Sequence, residues 1–509
     1  MERILVQEIA ESIADRKLYC YGFVKSNLEE FFSSFALKKQ VVAILEDNPK
    51  WQGQSLEEIP VHAPSVLQRE TAENIAIIIT ADYPEEVAEK LEQYGLTEKD
   101  GVVFRFLNRL DKIELEYRKK YEAAPLEDII IFRSGPIRSA YVPGTDFADN
   151  ARALFEHMLK NGYSKKYKLV WLVKNPTEFM QYQTVPNVEF LSYDWEDSEN
   201  AEERERYYQA LCLAKYIFMT DAYGFVKNSR EDQIRIQLWH GCGFKTRVNF
   251  SRCEKRYEYT TVVSDLYADI HADIYGLRKD QVLITGYAKQ DWLHQPYVEG
   301  LASLLGRKEA SKYVFWLPTF RMAESQLCEL NQYELNSETG LPIVAYKSQM
   351  EELNLLLQEQ DIMLIIKLHP FQKDVLVADC DYSNVVLLRN SDMVEKNLII
   401  NRLLASADAM ISDYSSAAVD YLSLNRPLAF TLDDVEEYES SRGFVFDNIR
   451  DWLPGKEVFN FRDFCAFIKE SAEDTDTTKE KRQKVSAKML KYKDNQNCKR
   501  ILDAFGIEK

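Results

Sequence analysis

The chain has 509 residues, enough for about three domains of ordinary size, and its 46% hydrophobic and 29% charged residues are typical of a folded globular protein. The 82 acidic residues outnumber the 64 lysines and arginines, and this net charge of −18 argues against nucleic acid as a partner, because phosphate backbones bind to basic surfaces. The eight cysteines form no Cys-x-x-Cys pair, which predicts reduced intracellular thiols and neither a zinc ribbon nor a disulfide framework.

The sequence contains no segment typical of secretion or membrane insertion. Its amino-terminal stretch lacks the apolar region of a signal peptide, and every apolar run falls far short of the ~20 residues that a membrane span needs. We therefore expect a cytoplasmic protein whose contact with the inner face of the cell membrane is at most peripheral.

Short apolar runs alternate with amphipathic stretches along almost the whole chain, which predicts repeated βα units and parallel sheets. A first series has strands at 18–22, 41–45 and 75–81, then helices that begin at Pro84 and Asp111. A second series has strands at 128–132, 168–173, 216–220, 235–239, 259–263 and 281–285. A third series has strands at 313–317, 363–368, 385–388, 409–411 and 428–431, followed by a lysine-rich final helix.

These three series predict an α/β chain of three Rossmann-like domains, at residues 1–125, 126–305 and 306–509. The first domain has a degenerate phosphate loop, because Gly22 is followed by Phe-Val-Lys-Ser-Asn without the second and third glycines of a dinucleotide-binding turn. We expect this domain to act as a scaffold or docking module and to bind no nucleotide. The other two domains would face each other across a cleft.

Residues that could carry chemistry lie where predicted strands end, which is where open α/β sheets bind ligands. His240 follows such a strand, a position that suits a general base or a group that donates a hydrogen bond to a phosphate. Gly241 and Gly243 come after it and would let the backbone approach a ligand closely. The alternative is a packed histidine beside a glycine turn. Arg321 follows the strand at 313–317 and could clamp a phosphate, although a surface arginine is the simpler interpretation.

Two further strand ends carry polar residues. His369 follows Lys367 at the end of a buried strand, and a satisfied core histidine is the alternative there to a functional one. The segment 412–416 reads Ser-Asp-Tyr-Ser-Ser before a predicted helix, which would place hydroxyls and backbone N–H groups where they can bind an anion. The alternative is simple helix capping by Ser415 or Ser416.

The order of these clusters resembles that of a known family. Seven motifs occur in sequence: Trp239-His-Gly with Lys245, Gly286-Tyr-Ala-Lys-Gln-Asp291, Pro318-Thr-Phe-Arg321, His369-Pro370, Ser412-Asp-Tyr-Ser-Ser416 with Asp420, Arg426-Pro427, and Glu437-Tyr438 before Arg442-Gly-Phe444. They resemble the motifs of the CDP-glycerol glycerophosphotransferases, which comprise teichoic acid primases and polymerases and related capsule-polymer enzymes. The resemblance covers roughly residues 130–505 and includes Asp149-Asn150 near its start.

The resemblance implies a GT-B fold, in which two Rossmann-like domains face a cleft. It also implies transfer of a polyol phosphate from CDP-glycerol or another CDP-polyol to a hydroxyl of a lipid-linked glycan or polyol-phosphate acceptor, with release of CMP. In that reaction His240 would be the general base and His369 would stabilise the leaving phosphate, with no metal or cofactor. The residues that would bind the donor are Gly241, Lys245, Gly286, Arg321, Lys367, Asp413, Ser415, Ser416, Asp420 and Arg442.

Some positions depart from the family pattern and leave the polyol and the acceptor open. Cys242-Gly243 stands where the family usually has Thr-Pro, and Lys367 stands where it usually has arginine. Two alternatives remain for the function. One is a GT-B glycosyltransferase, which would use a sugar nucleotide and release a nucleoside diphosphate, and the other is a non-catalytic assembly subunit.

The lysine-rich sequence of the final helix predicts contact with an anionic membrane surface, because basic residues near such a surface contribute about 1 kcal/mol each to binding. The basic residues of this patch are Lys479, Lys481, Arg482, Lys484, Lys488, Lys491 and Lys493. The alternative is a solvated helix that packs back on the preceding domain.

Overall fold

The computed structural model describes residues 4–13, 15–81, 84–135, 143–221, 230, 232–245, 257–319, 337–368, 381–441 and 443–509. The chain divides into two compact units, of which the first contains the residues up to 123 together with 195–209, and the second contains 124–194 and 210–509. The described residues form three sheets of six, seven and six strands, and all strand pairs except one hairpin are parallel.

The first unit is built around a six-stranded sheet. Its strands are β1 (Lys17–Tyr21), β2 (Val41–Leu45), β3 (Ser55–Leu56), β4 (Ile59–His62), β5 (Ile75–Ile79) and β6 (Val103–Arg105), in the spatial order β3-β4-β2-β1-β5-β6. Its helices are α1 (Gln7–Ser12), α2 (Lys25–Ser34), α3 (Pro84–Glu92) and α4 (Arg109–Tyr121). The central strands are buried on both faces, which explains their continuous apolar sequences.

The loop after β1 holds a carboxylate of the chain itself. The backbone N–H of Phe23 donates to the Glu46 carboxylate at 3.0 Å, and the N–H of Asn48 donates to the same group at 3.0 Å. Gly22 has a φ of 115°, and a Cβ there would lie 2.5 Å from the backbone of Ala81. This glycine therefore serves chain packing, and a diphosphate at the loop would meet a like charge. That the first unit binds no nucleotide stays a prediction, which these contacts support.

The second unit begins with a seven-stranded sheet. Its strands are β7 (Glu127–Gly135), β8 (Lys168–Val173), β9 (Val188–Ser192), β10 (Ala214–Asp221), β11 (Ile234–Gln237), β12 (Tyr259–Val262) and β13 (Val282–Ile284), in the order β13-β12-β11-β10-β7-β8-β9. Its helices are α5 (Asp149–Lys160), α6 (Met180–Gln183), α7 (Ala201–Leu213), which starts in the first unit, and α8 (Asp265–Tyr275). Aromatic rings fill its core, where Phe132 stacks on Trp171 at 5.5 Å.

The other sheet of the second unit has six strands. They are β14 (Lys312–Trp316), β15 (Ile362–Lys367), β16 (Val385–Leu388), β17 (Ala409–Ser412), β18 (Leu428–Thr431) and β19 (Lys456–Val458), in the order β16-β15-β14-β17-β18-β19. The accompanying helices are α9 (Leu301–Leu305), α10 (Lys347–Glu359), α11 (Asn390–Glu395), α12 (Ile400–Leu404), α13 (Ser416–Tyr421), α14 (Val435–Ser441), α15 (Ile449–Trp452), α16 (Phe461–Ala472) and α17 (Lys479–Met489).

The last helix, α18 (Asn497–Ala504), returns to the seven-stranded sheet. Cys498, Ile501 and Leu502 are buried in the core of that sheet. The Asp291 carboxylate accepts hydrogen bonds from the backbone N–H groups of Asn497 and Cys498, each at 2.9 Å, and so caps the start of α18. The chain thus closes back on the sheet where the second unit began.

Helix α17 packs on α8 within the second unit, and one residue of its predicted basic patch is buried. Arg482 is fully enclosed and forms an ion pair with Asp476, so its inclusion in an exposed patch is wrong. The remaining exposed lysines are Lys479, Lys484, Lys488, Lys491 and Lys493. None of the helices in the described ranges combines the length and the apolarity that crossing a bilayer requires.

Candidate active site

Predicted site residues from both sheets of the second unit lie at carboxyl ends of strands. His240 lies three residues beyond β11, Lys367 ends β15, and Asp413 directly follows β17. Because β15, β14 and β17 are neighbours in one parallel sheet, Lys367 and Asp413 share an edge of that sheet. This is the edge at which open α/β sheets bind ligands.

His240 is oriented by a carboxylate from another element. Its Nδ1 lies 2.8 Å from Oδ2 of Asp149, the first residue of α5, and its side chain is 44% exposed. Burial alone would raise the pKa of Asp149, but the neighbouring Lys289 and His240 outweigh it and hold that pKa below its usual range. An ionised carboxylate can only accept, so Nδ1 of His240 carries the proton and proton transfer to or from a substrate falls to Nε2.

The turn that carries His240 is held in an unusual conformation. Trp239 has a φ of 49°, which ends β11 at Gln237 although the apolar pattern predicts a strand to 239. The Asn150 side chain donates to the carbonyl of Trp239 at 2.7 Å, and the buried indole stacks on Tyr275 at 4.6 Å. These contacts fix the backbone directly before His240.

The glycines of this turn allow a close approach to α13. Gly241 has a φ of 145°, and a Cβ there would lie 3.0 Å from Oγ of Ser416, while one at Gly243 would lie 3.3 Å from Cβ of the same residue. Ser416 therefore lies against the His240 turn. Ser415 is the N-cap of α13 and accepts from the N–H of Ala417 at 3.3 Å, which is the capping role given above as the alternative.

A second set of contacts links the two sheets through Lys245. Its Nζ donates to Oγ1 of Thr319 at 3.3 Å, and Thr319 in turn donates through its hydroxyl and its backbone N–H to the buried carboxylate of Asp413. Lys245 also pairs with Phe444 in an antiparallel bridge. Asp413 thus holds the loop after β14 in place through Thr319. Lys245 is held beside this loop by its hydrogen bond to Thr319.

Lys289 and Asp420 lie behind His240. Lys289 Nζ is 3.1 Å from Oδ1 of Asp149 and 3.6 Å from Oδ2 of Asp420, and it donates to the carbonyl of His240. Gln290 Nε2 donates to Oδ1 of Asp420 at 2.8 Å. Burial raises the pKa of Asp420 to about 6, although Lys289 and Gln290 oppose that rise. Burial would lower the pKa of Lys289, but the two carboxylates outweigh it and raise that pKa.

Lys367 is a partly buried cation at the end of β15. Burial lowers its pKa to about 8, and Asp392 opposes this only weakly. Its Nζ donates to the carbonyl of Leu368. A lysine held in this way changes its charge within one pH unit of neutrality, which an arginine would not.

One predicted site residue in the described part of the chain, Gly286, contacts another element. Gly286 contacts α18, because a Cβ there would lie 2.2 Å from the Asn497 side chain. Arg321, His369 and Arg442 lie outside the described residues. Asp149, Lys289, Gln290 and Thr319 take part in the site without being among the site residues predicted from the sequence.

One group of side chains in the described ranges has the chemistry of metal ligands, and it shares no residue with the group formed by His240, Asp149, Lys289 and Asp420. His157, Asp291 and Cys498 bring potential ligand atoms within 4.8 Å of one another. Both carboxylate oxygens of Asp291 already accept backbone N–H groups of α18. The geometry of Asp291 therefore fits helix capping. That transfer needs no metal stays a prediction.

Comparisons with known proteins identify the family to which the chain is related. The profile of a family described as CDP-Glycerol:Poly(glycerophosphate) glycerophosphotransferase matches residues 130–505. The teichoic acid glycerol-phosphate primase of Bacillus subtilis (strain 168) is 26% identical over 335 residues, which are 62% of this chain and 79% of the relative. The teichoic acid ribitol-phosphate polymerase TarK of Staphylococcus aureus (strain NCTC 8325 / PS 47) is 24% identical over 314 residues, 57% of this chain and 56% of the relative. The chain thus spans only about half the length of some relatives.

A solved structure, that of the wall teichoic acid polymerase TagF, shares the fold. It aligns with a TM-score of 0.57 and 20% sequence identity, over 78% of this chain and 93% of that chain. At this identity the likeness establishes the fold alone. It confirms the predicted fold class, a GT-B arrangement of Rossmann-like sheets.

Proposed function

The chain belongs to the CDP-glycerol:poly(glycerophosphate) glycerophosphotransferase family, and on that basis we propose that it transfers glycerol phosphate from CDP-glycerol to a hydroxyl of a polymer acceptor. The acceptor oxygen attacks the β-phosphorus, the bond from that phosphorus to the CMP oxygen breaks, and CMP leaves. A new phosphodiester forms, and the acceptor proton passes to the protein. A similar CDP-polyol is the alternative donor, since relatives include ribitol-phosphate polymerases.

The observation that carries the proposal is the pairing of His240 with Asp149. Their 2.8 Å hydrogen bond fixes the imidazole so that Nε2 can take the proton of the attacking hydroxyl. Phosphoryl transfer otherwise depends on positioning and on neutralising charge. Two lysines are suited to neutralise the diphosphate, Lys245 in the segment after His240 and Lys367 at the end of β15.

The donor-binding residues proposed from the sequence divide into two kinds. Lys245, Lys367 and the glycines of the His240 turn offer positive charge or close backbone approach, and we assign the donor phosphates to them, together with Arg321 and Arg442. His369 is proposed to stabilise the leaving phosphate. Asp413 and Asp420 are buried carboxylates with partners inside the protein, so we assign them support of the site and not contact with an anionic donor.

We predict that donor binding weakens as the pH rises through about 8, because Lys367 then loses its proton. Between pH 8 and 9 the charged fraction falls from about one half to about one eleventh, so KM for the donor should rise by up to about fivefold. Lys367→Arg stays charged and should keep KM flat over the same range. Steady-state kinetics at several pH values measure this, and an equal rise in KM in both proteins would contradict the assignment.

We further propose that the acceptor is linked to a lipid and that the protein meets the membrane surface through the exposed lysines of α17 and the residues after it. Replacing Lys479, Lys484, Lys488, Lys491 and Lys493 by glutamine should reduce flotation with anionic liposomes, and salt should weaken the binding of the unaltered protein. Equal recovery of the two proteins would contradict this proposal.

A panel of donors tests the proposed function. The protein is incubated with acceptor and with CDP-glycerol, CDP-ribitol or sugar nucleotides, with and without EDTA, and the released nucleotide is identified. We expect CMP from a CDP-polyol and no effect of EDTA. Release of a nucleoside diphosphate from a sugar nucleotide would indicate a glycosyltransferase, and release of no nucleotide from any donor would indicate an assembly subunit.

A further inference from the structure

Three charged side chains from separate elements form a compact group behind His240. Lys289 lies between Asp149 at the start of α5 and Asp420 in α13, with N–O distances of 3.1 and 3.6 Å. Their side chains are 12%, 21% and 3% exposed. Asp149 is the direct partner of His240, and Asp420 is linked to Asp149 through Lys289. The group thus connects the two sheets of the second unit directly behind the histidine.

The charges of this group are unequal. Above about pH 6, the pKa of Asp420, two ionised carboxylates face one ammonium, so the group carries a net charge of −1 while His240 is neutral. When His240 accepts a proton, the four side chains together become neutral. Charges interact more strongly in a partly buried site than in water, so this balance favours the protonated imidazole that forms as the acceptor hydroxyl loses its proton and attacks the β-phosphorus.

We propose that Asp420 and Lys289 are positioning residues that together set the proton affinity of His240, with Asp420 supplying the second negative charge and Lys289 holding Asp149 in place. The role in catalysis rests on the proposed function, but the effect on His240 does not. Asp420 lies in α13, which follows β17 of the six-stranded sheet that would bind the donor. The proton affinity of His240 therefore depends on contact between the donor-binding sheet and the His240 turn.

The energetics of Asp420 fit a functional charge. Burial raises its pKa to about 6 in the folded chain, so the ionised form is disfavoured there. Its contribution to stability is therefore present at low pH and is lost as the pH rises from the ordinary carboxyl range through about 6. At neutral pH an ionised Asp420 opposes folding, and buried charges of this kind concentrate at functional sites. The described groups that interact electrostatically with it are Lys289, Asp149 and Tyr267.

Direct titration of His240 tests the proposal without any enzyme assay. The full chain has only six histidines, so ¹³C-labelled imidazoles can be followed by NMR and His240 assigned from a His240→Gln variant. Asp420→Asn is isosteric and can still accept from Gln290, so it should fold with unchanged or higher thermal stability. In this variant the pH of half-protonation of His240 should fall by about one unit.

A double variant distinguishes an effect of net charge on His240 from an effect of altered structure. Lys289→Met combined with Asp420→Asn restores the net charge of −1, so the titration of His240 should return to the wild-type midpoint or above it. Glu470→Gln, which breaks the ion pair with Lys456 at the edge strand β19, is the matched control and should leave the midpoint unchanged. An unchanged midpoint in Asp420→Asn, no return in the double variant, or an equal fall in the control would each overturn the proposal.

Kinetics provide the catalytic readout. In Asp420→Asn the acidic limb of the kcat/KM profile should move to lower pH by the same amount, with a lower kcat and an unchanged KM for the donor. A rise in KM alone would show that Asp420 binds the donor and would overturn the proposal. If no donor is turned over, the proposed function fails, while the NMR titration still decides the electrostatic role.

Discussion

Replacing His240 with alanine is expected to slow transfer by about 10²–10⁴-fold, the range typical for loss of a general base. The reason is geometric, because His240 is oriented by Asp149 and its side chain, three residues beyond β11, is 44% exposed. Since the base acts in the chemical step, the loss should fall on kcat, and donor binding measured by calorimetry should remain close to normal.

A matched control accompanies this variant. His294 is also exposed and lies in the same unit, at the end of the 3-10 helix Ala288–His294, so His294→Ala should keep full activity. Circular dichroism should show both variants folded. Turnover by His240→Ala within about threefold of the wild type would remove His240 from the role of base.

Replacing Asp149 with asparagine is expected to have the next largest effect, a loss of about 10²–10⁴-fold in kcat. Asparagine can offer an N–H group to Nδ1 of His240, which would favour the tautomer with its proton on Nε2. That tautomer cannot accept the acceptor proton. The KM for the donor should change little, and kcat and KM measured separately would show this division.

Asp265→Asn is the matched control for Asp149→Asn. Asp265 is the first residue of α8 as Asp149 is of α5, and its ion pair is with Lys491. A comparable loss of kcat in both variants, or a loss in Asp149→Asn confined to KM, would contradict the orienting role of Asp149.

The central strands could be predicted because burial on both faces leaves long apolar sequences. β5 and β15 are buried throughout or nearly so, and their apolar runs coincide with the predicted strands within a few residues. Short strands at or near the edges of the sheets lack this signal. In β19, Lys456–Val458, only the last residue is apolar and buried, and β4 contains Pro60, so neither follows from hydrophobic pattern.

The site was predictable where a residue directly follows a strand and not where distant elements meet. His240 follows an apolar run and precedes two glycines, which is a local signal. Its partner Asp149 lies 91 residues earlier, and Gln290 and Asp420 are 130 residues apart, so only the fold brings these groups together. The family motifs already contained Asp149 and Lys289, and the matched profile confirms that resemblance, but motif membership does not state which side chains touch.

Following the β-phosphorus of the donor tests the central claim most directly. CDP-glycerol labelled at that phosphorus is incubated with the protein and an acceptor, and the products are separated. Transfer of glycerol phosphate predicts that the label enters the acceptor as a phosphodiester and that the released CMP is unlabelled. Recovery of the label in CDP, with an unlabelled acceptor product, would contradict it.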